Sequence, residues 1–216
     1  MVSDDPGGRD TPELVRRMNL VGCNHDPVPA MVSVLVGLPE AGIPLGDVVA
    51  DSGYAHRLPT HFALPLRAAR ASLVMDLHPN DRGTQGTHAG AVLHHGSLYC
   101  PMTPVALFGQ APLQRGASQE EADDQRADEL ARYKLGRVSG DDHDGYHRRM
   151  CPALLGKVRC PLRPGSMVLA LTRPEVLDPP EHPPLCCTQQ TITVGSSVTA
   201  KTAQRHDYPS KAWRRS

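Results

Sequence analysis

The chain has few of the residues from which a large packed core is built. Aromatic residues make up 4% of its 216 residues and hydrophobic residues 39%, which are low values for a globular domain. Proline contributes 21 residues, about twice its usual share of ~5%. This composition predicts one medium unit or two small ones, with a modest core and long loops punctuated by proline.

Long apolar runs and an excess of one charge are also missing. No apolar run approaches the ~20 residues of a membrane-spanning helix, and the start, MVSDDPGGRD, is acidic and polar, unlike a secretory signal. Basic and acidic residues balance at 23 each, so the chain has no excess positive charge that would indicate a polyanionic partner. These absences predict a cytoplasmic protein with no membrane partner. In that compartment the six cysteines are expected as metal ligands or free thiols rather than disulfides.

The common catalytic signatures are absent as well. The sequence contains no GxSxG, no HExxH and no Cys-His nucleophile arrangement. The glycines of HPNDRGTQGTHAG lack the preceding strand, fingerprint and following helix of a phosphate-binding loop. A complete small enzyme therefore has no support in the sequence.

The first third of the chain alternates between helical and strand-like patterns. Apolar residues at helical spacing predict a helix over 26–43, with Asp26 as its N-cap and Gly42 at its end. The contiguous apolar residues before Asp51 predict a short buried strand, and SLVMDL (72–77) predicts a second one. This alternation indicates an α/β fold.

Later elements are fewer and are separated by loops. The segment AVLHHGSLYCP predicts a hairpin that turns at His95-Gly96, which makes a histidine ligand pair there the weaker interpretation. The polar segment 118–137 predicts a surface helix. The alternation of QQTITVGSSV (189–198) predicts a strand.

Asp51 is a candidate metal ligand in VVADSGYAHR (48–57). A carboxylate at the carboxyl end of a buried strand lies where α/β folds place ligands and metals, and hard cations such as Mg²⁺ prefer such oxygens. The alternative is a solvent-facing aspartate that begins a turn. Spacing alone favours that alternative.

The cysteines form a second candidate site. Proline follows Cys100, Cys151 and Cys160, and a Cys-Cys pair follows DPPEHPP. Four thiolates held tetrahedrally by zinc would stabilise a region with little apolar core. The long gaps match no CxxC knuckle, so buried or free thiols remain an equal alternative. The expected zinc ligands are Cys100, Cys151, Cys160 and Cys186, with His143, His147 and His182 as substitutes, whereas Cys23 is expected in the core.

Several segments resemble one protein family. VVADSGYAHR resembles the second-aspartate motif, A-D-x-G/A-Y, of DDE-class insertion-sequence transposases. The ordered segments DLHPNDRGTQGTHAGAVLHHGSLYCPMTP, DGYHRRMCPALLGKVRCPLRP and PPLCCTQQTITV resemble the long insertion before the last catalytic residue of these enzymes. The tail AKTAQRHDYPSKAWRRS resembles the approach to the helix that bears that residue.

The resemblance implies an RNase H-like fold in which two aspartates and a glutamate hold two Mg²⁺ ions for phosphodiester strand transfer on DNA. Asp51 would be the second of the three carboxylates. The first and the third have no counterpart in this sequence, so the resemblance implies an interior piece of a transposase that is inactive by itself. The implied partner is the DNA of transposon ends. Exposed sheet edges would also favour self-association.

The same resemblance suggests how the chain is divided. Residues 1–12 would be a flexible lead-in, 13–80 a partial RNase H-like α/β core, 81–190 a Cys/His/Pro-rich insertion, and 191–216 a strand with a basic tail. An alternative is a zinc-stapled module that binds DNA or protein without catalysis. Either way the basic tail could contact DNA phosphates, although a solvated chain end explains it too. The candidate DNA-binding residues are Lys201, Arg205, Lys211, Arg214 and Arg215.

Overall fold

The computed structural model describes residues 18–109, 117–169 and 176–214, and the chain divides into two compact units, Met1–Asp76 and Leu77–Ser216. Both units mix helices with small sheets, which confirms the α/β prediction at that level. The predicted lead-in, 1–12, lies outside the described residues. Within the described ranges, no helix has the length and apolar character needed to cross a membrane.

The Met1–Asp76 unit is built around two parallel strands. Val48 is paired with Leu73 and Ala50 with Met75 in the parallel register. Apolar side chains from the helices and strands of this unit form one core, in which Leu66 and Leu73 are fully buried. The described elements are helix α1 (Pro27–Val36), strand β1 (Asp47–Ala50), helix α2 (Ser52–Ala55), helix α3 (Ala63–Ala68) and strand β2 (Ser72–Met75).

The predicted helix over 26–43 is too long. Asp26 is its N-cap, as predicted, and its side chain accepts a hydrogen bond from the Val28 backbone N–H at 3.1 Å. The α-helix, however, ends at Val36. Pro39 then begins a separate 3₁₀ turn, and Gly42 ends that turn in the left-handed conformation, at φ 76°. Proline has no N–H to donate and clashes with the preceding turn, which explains the early end of the helix.

The expected core position of Cys23 is also wrong. Its side chain is exposed, since the chain around it forms a turn in which the His25 N–H donates to the Gly22 carbonyl at 2.9 Å. A residue at such a turn has no apolar element to pack against.

The Leu77–Ser216 unit contains two three-stranded antiparallel sheets within its described residues, one with the order β3-β4-β5 and one with the order β6-β7-β8. The predicted strand within 189–198 is confirmed as the last of these strands. The elements are β3 (Thr84–His88), β4 (Ala91–His94), β5 (Ser97–Tyr99), α4 (Ala117–Tyr133), β6 (Gly136–Arg137), β7 (Tyr146–Met150), α5 (Pro164–Met167), α6 (Leu185–Thr188), β8 (Thr191–Gly195), α7 (Ser196–Thr199) and α8 (Lys211–Arg214).

The hairpin predicted at His95-Gly96 is present between β4 and β5. His94 pairs with Ser97, so only two residues form the loop. Both loop residues have positive φ, 46° at His95 and 78° at Gly96, as a type I′ turn requires. The sequence signal for this turn was therefore sufficient.

The polar helix α4 ends four residues before the predicted boundary at Arg137. Beyond Tyr133 the backbone turns to pair with β5: Lys134 bridges Tyr99, and the Leu135 N–H donates to the Leu98 carbonyl at 2.8 Å. Leu135 is buried. Tertiary pairing thus replaces the last helical turn, which local propensity alone would allow.

Candidate functional site

Three of the expected zinc ligands each occupy the first position of the same type of turn. Cys100, Cys151 and Cys160 are each followed by proline, and the backbone N–H three residues later donates to the cysteine carbonyl, at 3.0, 3.1 and 2.9 Å respectively. Proline at the second position of a turn has the φ that the turn needs. Each Cys-Pro segment is therefore a preformed turn with the thiol at its first position.

A fourth segment brings the Cys186-Cys187 pair to the first hairpin sheet. The Cys186 N–H donates to the Ala89 carbonyl at 3.0 Å. Gly90 permits this approach, because a Cβ at that residue would lie 2.2 Å from the Pro184 Cβ. The two vicinal sulfurs are 3.9 Å apart.

The five cysteines of this unit form a buried cluster, here called the thiol cluster (Cys100, Cys151, Cys160, Cys186 and Cys187), in which each residue is 4–7% exposed. All five are free thiols. The Cys187 sulfur is hydrogen-bonded to the thiols of Cys100 and Cys186. Cys151 interacts electrostatically with Cys100, Cys160 and Cys186, and Cys187 also interacts with Cys160. Cys187 is thus hydrogen-bonded to two of the other four thiols.

The acidity of the thiols follows from this arrangement. Hydrogen bonds from Cys100 and then Cys186 lower the pKa of Cys187 to about 3, against the opposing effect of burial, and the charge of Arg163 lowers it further. Donation to Cys187, followed by burial, raises the pKa values of Cys100 and Cys186. Burial raises the pKa of Cys160. Among the three coupled thiols, the pKa is therefore lowered at Cys187 and raised at Cys100 and Cys186.

The sequence pattern predicts four of these thiols as zinc ligands and leaves out Cys187. The CC doublet was the available signal, but spacing gave no basis for choosing between its two members. The proposed histidine substitutes lie elsewhere: His143 and His182 are exposed, and His147 contacts Asp141 at 3.1 Å and Arg149 at 3.1 Å.

The second candidate site is the carboxylate of Asp51, directly after β1. Its Oδ1 accepts hydrogen bonds from the backbone N–H groups of Gly53 at 2.8 Å and Tyr54 at 3.2 Å, so Asp51 caps the short helix α2. The side chain is otherwise exposed. A Cβ at Gly53 would lie 3.1 Å from Oδ1, which explains why glycine suits the position next to this cap.

A second carboxylate follows the neighbouring strand. Asp76 comes directly after β2, and its N–H lies 3.4 Å from the Ala50 carbonyl. Because β1 and β2 are parallel and in register, Asp51 and Asp76 leave the sheet at the same edge. The predicted strand 72–77 includes Asp76, so the sequence pattern does not single it out as a site residue, although VVAD and LVMD share one pattern of three apolar residues before an aspartate.

The basic tail is partly engaged within its own unit. Lys201 forms an ion pair with Asp81 at 2.8 Å, and Arg214 pairs with Asp124. Arg205 and Lys211 are exposed. Arg215 lies outside the described residues. DNA contact by this tail stays a prediction.

The hairpin histidines line a cavity of about 320 Å³ beside α4. Burial lowers the pKa of His94 to about 4 and that of His95 to about 3, so both rings are neutral at physiological pH. Their rings are 4.0 Å apart. The cavity wall carries acidic and basic side chains side by side, an arrangement that selects no single ligand charge.

Comparisons with family models, with curated proteins and with solved structures find no match to this chain. The functional interpretation therefore depends on the residues and on their geometry.

Proposed function

We propose that this chain is part of a DDE-class DNA transposase and that Asp51 is one of the carboxylates of its metal centre. The observation that supports this function is the position of Asp51 at the carboxyl end of β1, beside the parallel strand β2. This is the sheet edge at which α/β folds bind ligands. The motif VVADSGYAHR, which resembles the second-aspartate motif of such enzymes, agrees with that position.

The hydrogen bonds of Asp51 are compatible with a metal ligand. A carboxylate has about four lone-pair sites, and the amides of Gly53 and Tyr54 use sites on Oδ1 alone. These contacts hold the side chain in one orientation without covering it. An exposed and oriented carboxylate suits a hard cation such as Mg²⁺, which keeps several of its waters.

The described residues do not fit a pair of Mg²⁺ ions. Among them, Asp51 and Asp76 are the carboxylates that directly follow β1 and β2, and two ions need more oxygen ligands than this. No catalytic step is therefore assigned to this chain by itself. We expect the purified chain to show no Mg²⁺-dependent or Mn²⁺-dependent nicking of DNA.

The ligand role of Asp51 is tested with Mn²⁺ as a paramagnetic probe. In ¹H–¹⁵N spectra of the whole chain, substoichiometric Mn²⁺ should broaden the amide signals of Ser52–Tyr54 and of Asp76 before others. Asp51→Asn should abolish this selective broadening, because an amide oxygen carries no charge to hold the ion. Excess Mg²⁺ should reverse the broadening by competition.

Asp47→Asn is the matched control, since Asp47 lies at the other end of the same strand. This variant should retain the broadening around residue 52. Equal broadening in the parent chain and in Asp51→Asn would contradict the proposed metal site. Mg²⁺-dependent nicking that is lost in Asp51→Asn would instead contradict the expectation that the chain is inactive alone.

A further inference from the structure

We propose that the thiol cluster is a structural zinc site in which Cys100, Cys151, Cys160 and Cys187 are the four ligands. The inference concerns the Leu77–Ser216 unit and does not depend on the transposase proposal. Its basis is the presence of five buried free thiols from four separate segments of the chain. Cys100, Cys151 and Cys160 pack in one cluster, and the sulfurs of Cys186 and Cys187 lie 3.9 Å apart. Packing alone does not require sulfur at these positions, because a free thiol packs as a small apolar side chain.

The local structure of the ligand segments matches what a closed metal site requires. The three Cys-Pro turns hold their backbones by internal hydrogen bonds of 2.9–3.1 Å. The Cys160 turn is held further by Ser166, whose Oγ accepts from the Cys160 N–H at 2.8 Å and donates to its carbonyl at 3.1 Å. Such turns fix the backbone of each cysteine without help from a metal.

Cys187 is a better fourth ligand than Cys186. Cys187 contacts Cys100 and Cys186 through hydrogen bonds and interacts with Cys160. The interactions of Cys186 are with Cys187 and Cys151, whereas both cysteines of the pair pack in the apolar cluster with Leu98 and Val194. The structure therefore replaces one ligand of the sequence-based set.

Four thiolate ligands favour zinc over hard cations. Soft sulfur ligands in a tetrahedral set bind Zn²⁺ or iron, whereas Mg²⁺ and Ca²⁺ require oxygen. A site closed by four protein ligands is structural rather than catalytic, since it leaves no position for water. Because cysteine binds zinc as the thiolate, binding of the ion releases the protons of the ligand thiols to solvent.

Arg163 supplies charge that such a site would need. Four thiolates and one Zn²⁺ carry a net charge of about −2, which is costly to bury without a nearby cation. The guanidinium of Arg163 interacts with Cys160 and Cys187. Its Nε is buried and has no hydrogen-bond partner among the described residues, and a metal-bound thiolate is an acceptor that would satisfy it.

Metal content of the purified full chain tests the proposal. Elemental mass spectrometry should find one zinc per chain and no stoichiometric iron. Cys187→Ser should weaken zinc binding by at least about tenfold, because even partners outside the ligand set typically contribute about 10–100-fold. Cys186→Ser should keep its zinc, and so should Cys23→Ser, which changes an exposed thiol of the other unit.

Cobalt(II) substitution of the parent chain provides a second test if Cys187→Ser fails to fold. The strong visible d–d bands and the sulfur-to-cobalt charge transfer of a tetrahedral tetrathiolate centre would support the site. A parent chain without zinc, with stoichiometric iron, or with a weak octahedral cobalt spectrum would overturn it. Equal zinc in Cys187→Ser and the parent, together with zinc loss in Cys186→Ser, would overturn the choice of ligand.

Discussion

Asp207 connects three parts of the second unit through one carboxylate. It accepts a hydrogen bond from the Ser97 hydroxyl at 3.0 Å, forms an ion pair with Lys134, and is attracted by the charge of Arg149. Burial raises the pKa of Asp207, but these three partners outweigh burial and hold the pKa below its ordinary value. A residue of the chain's last segment thereby holds the β4–β5 hairpin and the end of α4.

Because the folded-state pKa is depressed, the contribution of Asp207 to stability is present above the unfolded pKa of ~3.9. It is lost as the pH falls through the lower folded value. We expect Asp207→Asn to lower the free energy of unfolding at neutral pH by about 1 kcal/mol or less, since water screens this carboxylate. The difference from the parent should vanish in acid. Urea unfolding between about pH 6 and about pH 2 measures it.

The exposed Asp178 provides the control for this change. Asp178→Asn should show the same pH dependence as the parent chain. A constant difference between Asp207→Asn and the parent over the whole pH range would show that Asp207 acts through packing rather than through charge.

The β4–β5 hairpin depends on Gly96 for two separate reasons. The residue has φ 78°, which side chains other than glycine rarely adopt, and a Cβ there would lie 2.1 Å from the Thr202 carbonyl oxygen. Left-handed backbone costs about 1–2 kcal/mol and overpacking about 1–3 kcal/mol. Gly96→Ala should therefore reduce the free energy of unfolding by about 2–5 kcal/mol, as chemical denaturation would measure.

Gly140→Ala is the matched control for Gly96→Ala. Gly140 lies in the same unit, and nothing lies within 4 Å of a Cβ added there. Its substitution should change stability by less than about 0.5 kcal/mol. Similar losses of unfolding free energy in both variants would mean that the close contact with Thr202 does not cause the effect of Gly96→Ala.

At the scale of the whole molecule, the two units depend on different cores. The Met1–Asp76 unit has a continuous apolar core that includes Phe62 and Leu66. The core around Val158 in the other unit is made in large part of cysteines. Structural zinc contributes ~10–16 kcal/mol in zinc-finger peptides, as much as the entire stability of a domain, ~5–15 kcal/mol. With zinc bound to the thiol cluster as proposed above, metal loss should therefore unfold the Leu77–Ser216 unit selectively.

Hydrogen exchange measured by mass spectrometry before and after chelation checks this expectation. Amides of β4, β7 and β8 should lose protection when zinc is removed, whereas those of β1 and β2 should keep theirs. Readdition of zinc under reducing conditions should restore the protection. Unchanged protection of β7 after complete zinc removal would show that the metal does not stabilise this unit.

Local signals in the sequence were enough for several elements. Asp26 predicted the start of α1, the His95-Gly96 pair predicted a hairpin turn, and three apolar residues before Asp51 predicted β1. In each case the cause is short-range: a cap, a pair of residues with positive φ, or a buried run. Such causes act within a few residues and can be read without knowledge of the fold.

Other features depended on contacts between distant residues. The end of α4 was decided by pairing with β5, and the alignment of Asp76 with Asp51 by the parallel register of two strands. The sequence by itself determined that Cys100, Cys151 and Cys160 lie in turns stiffened by proline. Only the tertiary structure decided that five cysteines are buried in the same unit and that Cys100, Cys151 and Cys160 pack together, because segments separated by dozens of residues come together only through folding.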